Sequence, residues 1–362
     1  MNTYTIDNRN KTIILEFDFD KDLIAAIKRC SFNAHWNPEL KFWIIPIDDW
    51  SKPNVIRLIN DWGFKDKPKK VEAQVKYDYS VDPILMEKLK TVCQNKNFYL
   101  QPRDYQLESL YYGLKKGNHI NGDDVGIGKS FEAIIYAEVN NSFPCLVVVP
   151  ASIKYAWAEK WIEIVGKQRT ISVIESKGKN NNWNAEVVVI NYDILGKKAG
   201  KGSTVKFPEL LSTKWKMFIF DEGHFLKEAS SQRSKAARMI TKKSKGIIQL
   251  LTGTATMSKP SELWNLLVMI KKDDLISDSW KQFSMRYCGG YQSKFGWVSN
   301  GATSTLELNK KLRDTCYLRR EKRDVLKELP DIEKVIIKMP ITNKKEIGRA
   351  MDNLIEYIRE TK

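Results

Sequence analysis

Four short apolar runs mark the middle of the chain, at residues 145–149, 187–190, 217–220 and 247–251, and none alternates with polar positions. A strand covered on both faces reads this way, because neither set of alternate side chains meets water. Segments with helical periodicity separate the runs. The pattern predicts an α/β fold, a doubly wound parallel sheet with helices on both faces. Ligands of such sheets bind at the carboxyl ends of the strands, so the loop after each run is a place to look for chemistry.

The ends of the chain read differently. Residues 12–17 and 42–47 have strand texture, Asp20 can cap a helix running through Arg29, and Ser51 opens a short helix ending near Gly63. Residues 1–66 are therefore expected to form a small α+β domain. The charged, Pro-containing stretch 65–70 has nothing to bury and predicts a linker, with 67–97 as linker and lead-in helix. Residues 98–330 would form the main lobe, with an insertion around 275–305 whose aromatic and Gly-rich part, 287–301, suggests a protruding loop. Residues 306–326 predict one strongly basic helix, 333–339 a strand, and 343 onward an amphipathic helix, so 331–362 would begin a further unit.

Composition narrows the class. With 42% hydrophobic residues among 362, a sizeable core can be buried and global disorder is unexpected. No apolar run is long enough to span a bilayer, and the first residues lack the pattern of a secretory leader, so an intracellular soluble protein without a membrane partner is expected. The net charge of +16 is unevenly distributed: residues 1–70 hold 12 basic and 10 acidic side chains, the rest 48 and 34. A basic excess on the larger part suits a polyanion, whose counterions are released on binding. Cys30, Cys93, Cys145, Cys288 and Cys316 are scattered and only His35, His119 and His224 accompany them, so no zinc site and no disulfide framework is expected.

The sharpest chemical signal is Gly122-Asp123-Asp124-Val125-Gly126-Ile127-Gly128-Lys129-Ser130. Glycines let successive backbone N–H groups face phosphates, Lys129 would meet the outer phosphates, and Ser130 would ligate Mg²⁺. Asp124, Gly126, Ile127 and Gly128 would line that cradle. The strict form of the motif has Gly where this chain has Asp123. Asp221 and Glu222 follow the apolar run 217–220, where the first carboxylate can hold Mg²⁺ through water and the second can orient or deprotonate an attacking water. Together these loops imply hydrolysis of ATP with Mg²⁺. Thr252 and Thr254 after the run 247–251 can bridge toward a neighbouring domain, and Gln106, with Arg103 beside it, can meet adenine.

In this order and spacing the loops resemble the first motor lobe of superfamily 2 helicases, and more narrowly the Swi/Snf-type DNA translocases. The resemblance covers roughly residues 98–340 and implies a RecA-like lobe. Gln106 corresponds to the adenine-reading glutamine, Lys129 and Ser130 to motif I, and Asp221-Glu222-Gly223-His224 to motif II. Residues 148–153 with Trp157 correspond to a segment that touches the DNA backbone, and Ile190-Asn191-Tyr192-Asp193 to the next strand-end motif. Ser152, Lys154, Trp157, Tyr192, Thr252, Thr254, Arg319 and Arg320 thereby become candidates for DNA contact or coupling. Leu318-Arg319-Arg320 through Val325, before Leu329-Pro330, resembles the family's brace segment. Ala255 stands where the family usually has proline. Residues 1–66 resemble the HARP-type module of annealing helicases in Phe17, Leu23, Ile24, Lys28 and Trp43.

The resemblance implies a DNA-stimulated ATP hydrolase on duplex or branched DNA, in repair or recombination, located with the nucleoid or in a nucleus. It also implies a second RecA-like lobe, in cis or trans, that completes the ATP site; one lobe should bind nucleotide yet hydrolyse it poorly. Two other readings share these residues: the motor subunit of a restriction system, and a non-catalytic DNA-binding protein made of the first lobe.

Overall fold

The computed structural model describes residues 2–7, 12–31, 33–38, 41–47, 51–66, 77, 79–178, 180–196, 205–253, 259–293 and 296–326. The N-terminal part contains β1 (Thr3–Asp7), β2 (Thr12–Glu16), α1 (Lys21–Cys30), β3 (His35–Asn37), β4 (Phe42–Pro46), α2 (Lys52–Asp61) and β5 (Lys65–Asp66). The sheet order is β3-β4-β2-β1-β5, antiparallel except for the β1–β5 pair. Asp20 caps α1 as expected, its carboxylate accepting from the N–H groups of Asp22 and Leu23 at 2.9 and 3.0 Å. Alternate residues of β2 and β4 (Ile13 and Leu15, Trp43 and Ile45) turn inward onto Leu23 and Ile27 of α1 and Val55 and Leu58 of α2. Lys65 and Asp66, the first residues of the charged stretch read as a linker, pair with Thr3 and Tyr4. Charge does not prevent this, because strand pairing is made by the backbone and the exposed Lys65 side chain stays in water.

The larger part opens with α3 (Pro83–Asn95) and α4 (Asp104–Lys116), followed by β6 (His119–Asn121), α5 (Lys129–Val139), β7 (Cys145–Val149), α6 (Lys154–Val165), β8 (Ile171–Val173) and β9 (Val187–Asn191). Next come α7 (Glu209–Ser212), β10 (Met217–Phe220), α8 (Gln232–Lys243) and β11 (Ile247–Leu251). The apolar runs are these strands. Leu146, Val148, Val188, Ile190, Phe218, Phe220, Ile248 and Leu250 enter one core. Their alternates Cys145, Val147, Val149, Val187, Val189, Met217, Ile219 and Leu251 enter another. Each strand thus has both faces buried, which is why its sequence shows no alternation.

Beyond β11 lie α9 (Ser261–Met269), α10 (Trp280–Tyr287), the hairpin β12 (Tyr291–Ser293) and β13 (Gly296–Val298), α11 (Thr305–Thr315), β14 (Tyr317–Leu318) and α12 (Lys322–Val325). The single basic helix expected over 306–326 is therefore two helices split by a strand. Leu308 and Leu312 are the buried stripe of α11, whereas Tyr317 and Leu318 are buried by pairing in parallel with Ile120 and Asn121 of β6. An open sheet edge offers backbone partners that a solvent-facing helix cannot. The completed sheet runs β14-β6-β11-β10-β7-β9-β8, with every pair parallel. The strand expected at 333–339 and the helix from 343 lie outside the described residues. Among the described residues no helix is long and apolar enough to cross a membrane.

Candidate functional site

Strands β6, β11 and β10 are neighbours, so the loops that follow them leave the same carboxyl edge side by side. The loop after β6 turns into α5 at Gly128, whose φ of +111° is backbone that a side chain rarely tolerates. The Lys129 ammonium donates to the carbonyls of Asp123 and Asp124 at 2.8 and 3.1 Å, which places it inside the curve of the loop. Burial lowers its pKa, against the opposing pull of Asp123, Glu222, Asp221 and Glu132. The loops after β6 and β10 are thus close enough for their charges to act on each other. Thr252 donates its N–H to the Asn121 carbonyl at 3.0 Å, which brings the third loop to the base of the first. Thr254 lies outside the described residues.

Asp221 is held from below. One carboxylate oxygen accepts from the Trp157 indole N–H at 2.7 Å, the other from the backbone N–H of Glu222 at 3.0 Å, and its carbonyl accepts from the Tyr192 hydroxyl at 2.7 Å. Trp157 and Tyr192 are both buried. As candidate DNA contacts they are covered; their geometry suits coupling through Asp221 instead. Lys154, a candidate of the same kind, is buried and paired with Glu175 at 2.6 Å, whereas Ser152 is exposed. Glu222 adopts left-handed backbone, φ +49°, and its half-exposed carboxylate lies 3.2 Å from His224 Nδ1. Gln106 accepts the Arg103 N–H at 2.9 Å through Oε1, and its Nε2 lies against Gly128. The Tyr105 hydroxyl donates to the Ile127 carbonyl at 3.0 Å. The head of α4 is thereby fitted to the loop, with Arg103 exposed beside it.

Asp123 has a structural role that the motif alone does not reveal. It is fully buried, and its carboxylate accepts from Arg320 Nε and Nη2 at 3.0 and 2.5 Å and from the Arg320 backbone N–H at 2.7 Å. Arg320 Nη2 also meets Glu132 at 3.0 Å, while Nη1 donates to the Tyr105 carbonyl. The other oxygen of Glu132 accepts from Ser109 and Asn121 at 2.8 and 2.6 Å. Burial pushes the Glu132 carboxyl up, with Arg320 pulling the other way. Burial also disfavours the Arg320 charge, but Asp123 and Glu132 outweigh it and hold its pKa above the ordinary value. Arg320 is too buried to meet DNA from this position; it ties the segment after β14 to the loop. Arg319, more open, pairs with Asp124 at 2.6 Å and donates to the Gly122 carbonyl at 2.8 Å.

Sequence reasoning did not single out Glu132 or Asn121. The signal for Glu132 was present: an acid inside the otherwise apolar stretch 131–137 must find a partner when buried. What a sequence cannot supply is the partner, here 188 residues away.

Residues 54–347 match the family described as SNF2-related domain. A SWI/SNF-related matrix-associated actin-dependent regulator of chromatin subfamily A-like protein 1 from Xenopus tropicalis is 26% identical over 327 residues, covering 87% of this chain and 33% of that protein. The DNA annealing helicase and endonuclease ZRANB3 of Homo sapiens is 28% identical over 267 residues, 70% of this chain and 24% of that protein. The chain therefore spans about a third or less of these relatives' length. Among solved structures, the Sulfolobus solfataricus SWI2/SNF2 ATPase core in complex with dsDNA shares the fold, with a TM-score of 0.51 at 22% identity over 73% of this chain and 55% of that one.

Proposed function

Because the chain belongs to the SNF2-related family, we propose that it is the ATP-binding lobe of a Swi/Snf-type translocase that uses ATP hydrolysis to move on duplex or branched DNA. The observation that carries this reading is the convergence of the loops after β6, β11 and β10 on one edge, with Lys129 under the charge of Asp221 and Glu222. In it, Gly126, Ile127, Gly128 and Asp124 shape the phosphate cradle, Lys129 neutralises phosphate charge, and Gln106 with Arg103 meets the adenine.

The donor set fits Mg²⁺, which favours oxygen ligands from one or two protein groups plus phosphate and water. Ser130 would supply a hydroxyl and Asp221 a carboxylate whose oxygens each retain a lone pair beyond the bonds to Trp157 and Glu222. When bound, the cation would neutralise phosphate oxygens. Glu222, next to it and in reach of His224, is placed to orient a water and take its proton. The charges developing in transfer are met from fixed positions, since Asp221 and Lys129 are each tied to neighbouring groups. A second RecA-like lobe would close over this edge and complete the site.

The DNA reading draws on what the relatives' names state and on a basic excess concentrated outside residues 1–70. Ser152, Arg319 and the Thr252 and Thr254 loop remain candidates for contact or coupling at the same edge. Residues 1–66 are read as a HARP-like accessory module; exposed Phe19 and Trp36 could stack on bases, and Lys28, over the Trp43 ring, could meet phosphate. The protein's place is then with cellular DNA.

The test has two parts. Equilibrium binding of a labelled ATP analogue to this chain should weaken at least about tenfold in Lys129→Ala, the value of one charge-assisted contact. ATP hydrolysis by the chain supplied with a second lobe should rise with duplex DNA and vanish in Glu222→Gln. Unchanged binding in the first, or unchanged turnover in the second, refutes the assignment.

A further inference from the structure

We propose that Lys322 supplies a second phosphate-contacting ammonium to the nucleotide site, a role that rests on the reading of the 122–130 loop given above. The ladder between β14 and β6 does not stop at the strand ends. Gly122 N–H donates to the Leu318 carbonyl at 2.8 Å and Asp124 N–H to the Arg320 carbonyl at 3.1 Å, so the brace segment runs alongside the loop itself. Side chains then lock the two together. Arg320 grips Asp123, Arg319 pairs with one oxygen of Asp124 at 2.6 Å, and the other oxygen accepts the Lys322 backbone N–H at 2.9 Å.

The consequence is a defined position for the Lys322 side chain. Gly126 has φ +87°, and a Cβ built on it would lie 2.9 Å from Lys322 Nζ and 3.1 Å from Cε. The ammonium therefore occupies the room that the glycine leaves, resting against the backbone of the turn that would cradle the phosphates. Lys129 approaches the same turn through its bonds to Asp123 and Asp124 carbonyls. Among the described residues no carboxylate forms an ion pair with the Lys322 ammonium, because Asp124 is already taken by Arg319 and by the Lys322 backbone. A lysine at the first position of a helix also has the wrong sign for the helix dipole, so the stability of α12 does not explain it. An exposed ammonium held by its backbone at the rim of an anion cradle is suited to a phosphate oxygen.

The experiment measures equilibrium affinities of this chain for ATPγS, ADP and adenosine in the presence of Mg²⁺, for wild type, Lys322→Ala, Lys322→Arg and Lys129→Ala. Lys322 is exposed, so its replacement leaves the core intact. Lys322→Ala is expected to weaken ATPγS about tenfold, to leave adenosine unchanged, and to be largely rescued in Lys322→Arg. Wild-type affinity for ATPγS in Lys322→Ala, or an equal loss for adenosine, overturns the inference. If Lys129→Ala loses ATPγS while Lys322→Ala does not, only the inference about Lys322 fails. If wild type binds neither phosphorylated nucleotide, the reading of the loop fails and this one with it.

Discussion

Replacing Arg320 with alanine would strand two carboxylates in the core. Asp123 would lose the Nε and Nη2 bonds and keep only the backbone N–H of residue 320, and Glu132 would lose its cationic partner at 3.0 Å. The side chains of Arg320, Asp123 and Glu132 are 5%, 0% and 2% exposed, so water cannot take the guanidinium's place. Removing one partner of such a buried pair costs about 3–5 kcal/mol. Arg319→Ala provides the contrast: its pair with Asp124 has side chains 19% and 31% exposed, and partly solvated pairs contribute about 0–1 kcal/mol. The assay is urea unfolding of the chain followed by tryptophan fluorescence. Because burial already raises the Glu132 carboxyl, the stability it contributes is present at low pH and lost as pH rises. Without the opposing Arg320 that rise is larger, so the deficit of Arg320→Ala should grow from pH 5 to pH 8, and Glu132→Gln added to it should recover part. A loss below about 1 kcal/mol, or one no larger than that of Arg319→Ala, would refute the view that the cluster anchors the loop.

Two further outcomes test neighbouring parts of the lobe. Burial holds His119 down to about 4 from an ordinary value of 6.5, with its Nδ1–H donating to the Gly117 carbonyl at 2.7 Å. Its contribution is complete above pH 6.5 and is lost as pH falls toward 4; wild type should lose about 2 kcal/mol more than His119→Gln between pH 7 and pH 5 in denaturant titrations. Equal losses would show that His119 is not the titrating group. Trp157→Phe deletes the indole bond to Asp221 and should cost about 1.5–3 kcal/mol, the range for hydrogen bonds to charged groups. The same variant should reduce the Mg²⁺-dependent part of ATP-analogue binding; unchanged Mg²⁺ dependence would detach Trp157 from the role assigned to Asp221.

The sheet was legible because its physics is local to each strand. The runs 145–149, 217–220 and 247–251 have the bounds of β7, β10 and β11, since continuous hydrophobicity is what burial on both faces demands. The loops at their ends could be located for the same reason. Strand β14 was not legible. Tyr317 and Leu318 carry no pattern of their own between two basic helices, and their conformation is decided by an edge 197 residues away from the segment that follows them. The same distance hid the meaning of Asp123, which in the sequence is only a missing glycine. Trp157 and Tyr192 show the converse limit. Their positions in the motif order were readable, but whether each faces outward or supports Asp221 depends on packing that spacing does not encode.

The joining of β14 to β6 also decides where this lobe ends as a folding unit. A fragment cut before Cys316 would keep the loops after β6, β10 and β11, with Lys129, Asp221 and Glu222, and lose the segment that carries Arg319, Arg320 and Lys322. It would turn β6 into an open edge, remove the backbone acceptors of Ile120, Gly122 and Asp124, and open the buried acids Asp123 and Glu132 to the gap left by Arg320. Such an edge invites pairing with another chain, so the expected product is an aggregation-prone protein with a slack loop. The smallest piece worth making therefore reaches past Val325, and an apparent lack of nucleotide binding in anything shorter would report on the cut.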